Sequence, residues 1–276
     1  MAKKYLIVNA DDYNTDIERN RGILQAAREG IVTRVSIIAN QMLEEKDVTE
    51  LKKVFDTKIG IHLNLTLGSP IIPHTKTLVN NNGQYLEKQK AWRRAMLHGY
   101  DLNEVKMEFS AQIKRLKEAG ITPNHIDGNN HIHVFPGIAK VVAQIAKDYK
   151  IFKVRIPFES FKGFKSYFRY GAAKKYFIGK LSKSARLIFK ESGMYFPDRF
   201  SGIQFPRIAN IDSLRAFIRN LPEGTNELMC HPGYHSISKN PFSTIEREQE
   251  LFALTHPSVI NDIMDFNINL VSYKDL

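Results

Sequence analysis

Residues 6–14 read "LIVNADDYN", and their reading decides the fold. Leu6, Ile7 and Val8 have the character of a buried strand, and the run ends in two adjacent carboxylates, Asp11 and Asp12. Acids commonly follow strands, where they make Asx turns or cap the next helix, and "DYNTDIE" (12–18) suits that role. Paired charge at the mouth of an apolar run is also where parallel β/α folds place ligand-binding groups. Neighbouring residues of an extended strand point to opposite faces, so both carboxylates reach one pocket only if the chain turns at this pair.

Outward from that strand, apolar β-rich runs alternate with amphipathic stretches. The spacing predicts a helix from Asp16 to Glu29, with Ile17, Ile23, Leu24 and Ala27 inward and Gly30 closing it. "RVSIIAN" (34–40) and "KIGIHLNL" (58–65) read as strands, and "NEVKMEFSAQIKRLKEAG" (103–120) repeats Val105, Phe109, Ile113 and Leu116 at helical spacing before Gly120. "NHIDG" (124–128), "FKVRIPF" (152–158), "NELMC" (226–230) and "INLVSY" (268–273) complete about seven candidate strands. Further helical patterns lie at 138–149, 211–219 and 244–254. Strands and helices in alternation imply parallel β-α units.

A barrel and an open doubly wound sheet share this pattern. Asp11, Asp12, His62, the 125–133 cluster, Arg155 and His231 all fall at or just beyond the carboxyl ends of different strands, and convergence from so many strands favours a closed or nearly closed α/β barrel. The expected organisation is a single domain over 1–276, with long irregular stretches at about 68–101 and 158–192 serving as lids or binding loops.

The 276 residues carry a formal charge of +11, distributed unevenly. Residues 151–192 hold eleven Lys or Arg against Glu159 and Glu191, which accounts for +9 of the total. Ten aromatic rings between Phe152 and Phe189 interleave with these cations. Nucleic-acid proteins use such mixtures, but no nucleic-acid-binding motif accompanies this one, so nucleic acid is not the expected partner. A solvated helical insertion, a basic lid attracting an anionic sugar, and homodimer contacts stay open as its role. No stretch approaches the roughly 18–20 apolar residues of a membrane helix. The N-terminal apolar segment is too short for a signal peptide. The single cysteine, Cys230, suits a reducing compartment, and the cytoplasm is the expected location.

The densest chemical signal is "HIDGNNHIHVFP" (125–136), in which His125, Asp127, His131 and His133 fall within nine residues. Each buried ring needs a partner for a polar nitrogen, so such density points to a metal or substrate site more than to packing. His62 in "GIHLNL" and His231 in "MCHPGYH" join it from other strands; alone, His62 reads as a hydrogen-bonded structural histidine and His231 as a residue packed in a turn. Together the groups suit hydrolysis. Carboxylate and imidazole ligands hold a divalent ion that acidifies water, a second carboxylate removes its proton, and a distant histidine protonates the leaving group.

"LIVNADDYN", "GIVTRVSIIAN", "IGIHLNLTLGSP", "HIDGNNHIHVFPGI" and "ELMCHPGYH", in this order, resemble the YdjC-like carbohydrate deacetylases, the family that contains diacetylchitobiose deacetylase. The resemblance spans residue 4 to about residue 274. It implies a deformed TIM-like (β/α) barrel related to polysaccharide deacetylases, one divalent metal, Mg²⁺ or Zn²⁺, and removal of N-acetyl groups from chitin-type sugars, phosphorylated or not. Carried onto this chain, Asp11 resembles the catalytic base, Arg155 the arginine orienting it, and His231 the general acid. Asp12 and His62 resemble metal ligands, while Asp127, His131 and His133 are expected around the substrate. The third family ligand is a histidine whose position is Asn129 here. An Asn oxygen coordinates Mg²⁺ but is a poorer partner for Zn²⁺. The alternative is a non-catalytic carbohydrate- or polyanion-binding protein on the same scaffold.

Overall fold

Strand β1 (Lys4–Tyr13) explains the architecture through its alternation. Leu6, Val8 and Ala10 join the apolar core that lies under the helices, while the intervening Asn9 and Asp11 are buried polar residues on the opposite face. The computed structural model describes residues 3–159, 172–203, 210–236 and 243–275. After β1 come α1 (Ile17–Glu29), β2 (Arg34–Ile37), α2 (Glu45–Phe55), β3 (Ile59–Leu63), α3 (Lys88–Met96), α4 (Leu102–Glu118), β4 (Ile126–Gly128) and α5 (Ile138–Tyr149). The second half carries α6 (Ala172–Glu191), β5 (Arg199–Ser201), α7 (Ile211–Arg219), β6 (Gly224–Cys230), α8 (Ile245–Thr255), α9 (Pro257–Asp265) and β7 (Ile268–Leu270).

The described strands form one seven-stranded sheet in the order β4-β3-β2-β1-β6-β5, with β7 added to β1, and every pairing is parallel. β7 pairs with the start of β1 (Lys4 opposite Ile268), and β2 takes over further along the same edge (Asn9 opposite Arg34). Beyond β4, among the described residues, the sheet continues as single bridges, Ile126 to Val154 and Lys153 to Tyr195, which lead round towards β5. The result is a deformed β/α barrel whose closure is reduced to those bridges. Its inward face is polar: Asn9 and Asp11 of β1, Arg34 and Ser36 of β2, His62 of β3, Asp127 of β4 and Glu227 of β6 are all buried.

Several sequence-based expectations are corrected. "FKVRIPF" forms isolated bridges and no strand, since Pro157 lacks the N–H that would extend the ladder. The seventh strand is instead β5, too short to announce itself by alternation. Within the stretch 158–192, expected to be a long loop insertion, residues 172–191 are helical, in line with the helical insertion left open for the basic segment; buried Ile178, Leu181, Ala185 and Phe189 give α6 its inward stripe. Residues 160–171 of that stretch lie outside the described residues. The 68–101 stretch contains α3 and a Val79–Tyr85 bridge between irregular segments. Ile17, expected inward, is 59% exposed, because Asp16 caps α1 and places Ile17 on its solvent side.

One glycine is dictated by the barrel interior. A Cβ on Gly60 of β3 would stand 2.1 Å from the His125 ring. That ring cannot retreat, because it stacks on Tyr273 at 4.3 Å. Gly60→Ala is therefore expected to destabilise the protein by about 1–3 kcal/mol in urea unfolding. A variant within about 0.5 kcal/mol of wild type would contradict this packing.

Candidate active site

The site forms where the carboxyl ends of β1, β3 and β4 meet. At the end of β1 the register with β2 breaks between Ala10 and Tyr13, and Asp12 takes a left-handed φ of 68°. This turn lets neighbouring carboxylates serve one pocket. Asp11 remains on the inward face, where the Arg155 guanidinium grips it with two hydrogen bonds of 2.5 and 2.7 Å. Asn9 Nδ2 adds a third donor at 2.7 Å. Burial pushes the Asp11 carboxyl above its ordinary pKa, with Arg155 and His62 acting against that rise.

Arg155 has no solvent exposure and serves three acids: besides Asp11, its Nε donates to Glu227 at 2.7 Å and its Nη2 lies 3.1 Å from Asp127. Burial alone would lower its pKa, but Asp11, Asp127 and Glu227 outweigh it and hold it charged. Tyr273 donates to the second oxygen of Glu227 at 2.7 Å. Asp127 takes Ser36 Oγ–H at 2.7 Å on one oxygen and His62 Nδ1 at 2.7 Å on the other. Burial disfavours the Asp127 anion, yet Arg155 and His62 bring its carboxyl far below the usual range.

Because Asp127 claims Nδ1, the other nitrogen of His62 faces the Asp pair. Nε2 lies 3.3 Å from Asp12 Oδ1 and 3.9 Å from Asp11 Oδ2. Burial lowers the His62 pKa, but the surrounding carboxylates more than reverse this and raise it to about 10. Burial also opposes the Asp12 anion, which the His62 hydrogen bond and Arg19 nonetheless hold well below the ordinary carboxylate range. Asn129, at the start of the short turn Asn129–Val134, donates Nδ2 to Asp12 Oδ1 at 2.9 Å. Its own Oδ1 accepts from Thr66 at 2.5 Å and from Asn130 at 2.8 Å.

These donors fit a divalent ion. Asp12 Oδ1 and His62 Nε2 stand close enough to share one, and the Asp127 hydrogen bond on Nδ1 is the wiring that metal-binding histidines have. Asn129 joins the ligand set only with its amide turned so that Oδ1 replaces Nδ2. Asp11, His62 and Asp127 also bring ligand atoms within 4.8 Å of one another. Asp127, however, already spends its oxygens on His62, Ser36 and Arg155, which makes it the support of the site more than a ligand.

The remaining candidates separate. Cys230 pairs with Ala10, so the next residue, His231, leaves β6 beside the Asp pair; its Nδ1 has no hydrogen-bond partner and burial pushes its pKa well down. His131 adopts a φ of 57°, sits edge-on to Phe200 and leaves Nδ1 without a partner. His133 and Asp127 are fully buried behind the site and, as placed, have no edge open to a sugar; His133 Nε2–H donates to the Arg155 carbonyl at 3.0 Å. Sequence reasoning missed Asn9, Arg19, Ser36, Glu227 and Tyr273. Glu227 alone carried a signal, an acid inside the apolar run "ELMC".

A deformed β/α barrel with an acidic and imidazole cluster at its carboxyl edge defines the class of barrel enzymes that work at strand ends. The YdjC-like protein family model matches residues 5–265, and the chain belongs to that family. It is 31% identical over 273 residues to a carbohydrate deacetylase of Clostridium beijerinckii, covering 98% of this chain and 99% of that protein. It is 29% identical over 275 residues to a carbohydrate deacetylase of Geobacillus stearothermophilus, covering 99% and 98%. With the carbohydrate deacetylase of Mus musculus it shares 31% over 296 residues, 98% of this chain and 94% of that one. A crystal structure from Enterococcus faecalis, described as a cellobiose-phosphate cleavage protein, has the same fold, with a TM-score of 0.81, 22% identity and 99% of both chains covered.

The buried histidines give a pH signature. Burial keeps His133 at a pKa of about 4, below the 6.5 of an unfolded histidine. Between those values the unfolded chain binds the proton that the folded chain refuses, so stability is full above 6.5 and falls as pH drops towards 4. The loss from His133 is roughly 3 kcal/mol. Urea unfolding at pH 7 and pH 4 should show the decline, and His133→Gln should reduce it. An equal decline in the variant would contradict the assignment.

Proposed function

We propose that this protein is a metal-dependent hydrolase that removes the N-acetyl group from chitin-type oligosaccharides such as diacetylchitobiose. The observation that carries the reading is the Asp12–His62 pair at 3.3 Å beside an Asp11 gripped by Arg155. Relatives named carbohydrate deacetylase, matched along nearly the whole chain, support it.

Asp12 and His62 would hold the ion, with Asn129 as third ligand through its amide oxygen, a donor better suited to Mg²⁺ than to Zn²⁺. A divalent ion bound there supplies Lewis acidity towards water and the acetamide oxygen. Asp11 accepts the proton of the attacking water, and Arg155 keeps that carboxylate pointed at the pocket. His231, neutral at rest because burial lowers its pKa, would take up a proton and pass it to the departing amine nitrogen. Asp127 fixes the ring of His62, His133 braces the Arg155 backbone, and His131 is the residue left to meet the sugar. A phosphate on that sugar would find complementary charge in the basic segment.

Acetate release from diacetylchitobiose, with and without a 6-phosphate, tests the proposal in the presence of Mg²⁺ or Zn²⁺. Asp11→Asn should lower turnover by about 10²–10⁴-fold while the protein still binds metal. Full activity in that variant would overturn the role of Asp11.

A further inference from the structure

Arg19 belongs to no part of the chemistry just described, yet it touches the site. It lies on α1 with its side chain 1% exposed, and its Nη1 stands 3.2 Å from Asp12 Oδ2. Its position is fixed from several sides. Asp16, the cap of α1, accepts the Arg19 backbone N–H at 2.8 Å. The Tyr234 N–H binds the Glu18 carbonyl at 3.1 Å, and Gly22 lies so close to the loop after β6 that a Cβ on it would stand 2.4 Å from Gly233 Cα. The helix therefore cannot slide away and take its guanidinium out of the site.

Asp12 is consequently not an idle ligand. It receives Arg19 on Oδ2, and Asn129 Nδ2 at 2.9 Å together with His62 Nε2 at 3.3 Å on Oδ1. A cation that binds Asp12 has to approach a fixed positive charge already seated on the same carboxylate, in a medium that screens far less than water. We infer that Arg19 sets the ion affinity of this site: it is a positioning residue whose charge holds Asp12 in place and keeps divalent metal weakly bound and exchangeable. The inference rests on the proposed reading that Asp12 and His62 hold the ion.

Direct binding of Mn²⁺, followed through the electron paramagnetic resonance signal of free Mn²⁺, separates the two. Wild type, Arg19→Gln, Arg19→Met, Arg19→Lys and Asn129→His would be compared, with circular dichroism confirming that each is folded. The neutral variants should bind Mn²⁺ on the order of tenfold more tightly or better, and Arg19→Lys, which keeps the charge, should stay near wild type. Gln is included because it keeps a donor for Asp12, and Met because it keeps the length of the side chain. Folded neutral variants with unchanged or weaker affinity, against a wild type that binds, would overturn the role of Arg19 alone. Absence of Mn²⁺ binding in all five proteins at millimolar metal would overturn the ion-binding reading of the site itself.

Discussion

One desolvated guanidinium organises this molecule. Arg155 faces Asp11, Asp127 and Glu227 without solvent exposure, and each of those acids lies on a different strand of the sheet. A buried carboxylate left unpaired is strongly destabilising, and one cation reaches all three acids, with His62, Asn9, Ser36 and Tyr273 supplying their remaining partners. From that centre the constraint passes outward. Asp127 is held by Arg155 and Ser36, it fixes the ring of His62, and His62 then turns Nε2 towards Asp12. Removing the centre would disconnect the base from the ion-binding pair.

The fold affords such a polar interior because it separates its two faces. Leu6, Val8 and Ala10 of β1, Val35 and Ile37 of β2, and Ile59, Ile61 and Leu63 of β3 pack outward against the helices, where buried apolar surface supplies the stability. The inward face can then hold Asn9, Arg34, Ser36, His62 and Asp127, each tied to a neighbour by hydrogen bonds. Above it, Trp92 of α3 donates to the Asn130 carbonyl at 3.0 Å and packs on Phe177 of α6. The two stretches expected to be irregular thus meet over the turn that carries Asn129 and His131.

Much of this was legible in the residues. The alternation of runs foretold parallel β/α units, and the helical spacing of Val105, Phe109, Ile113 and Leu116 marked α4, all four of which are fully buried. The requirement that the chain turn at the Asp pair is met by the left-handed φ of Asp12. What stayed hidden was the wiring behind the site. Nothing local distinguishes Ser36 from any strand serine, or Arg19 from other helix arginines, because each acts through a partner brought near by the fold. The "HIDGNNHIHVFP" histidines look equivalent in sequence, yet His125 stacks on Tyr273, His133 braces the Arg155 carbonyl, and His131 keeps an unpartnered nitrogen. β5 escaped for a different reason: at three residues it is too short for periodicity.

The most direct measurement is anomalous diffraction from crystals of the wild-type protein equilibrated with Zn²⁺ or Mn²⁺. One peak bonded to Asp12 Oδ1 and His62 Nε2, at about 2.0–2.2 Å for zinc, with Arg155 still gripping Asp11 and Asp127 still on His62 Nδ1, is the predicted result. A peak seated on Asp127, or a saturated crystal with metal only at sites remote from His62, would contradict it.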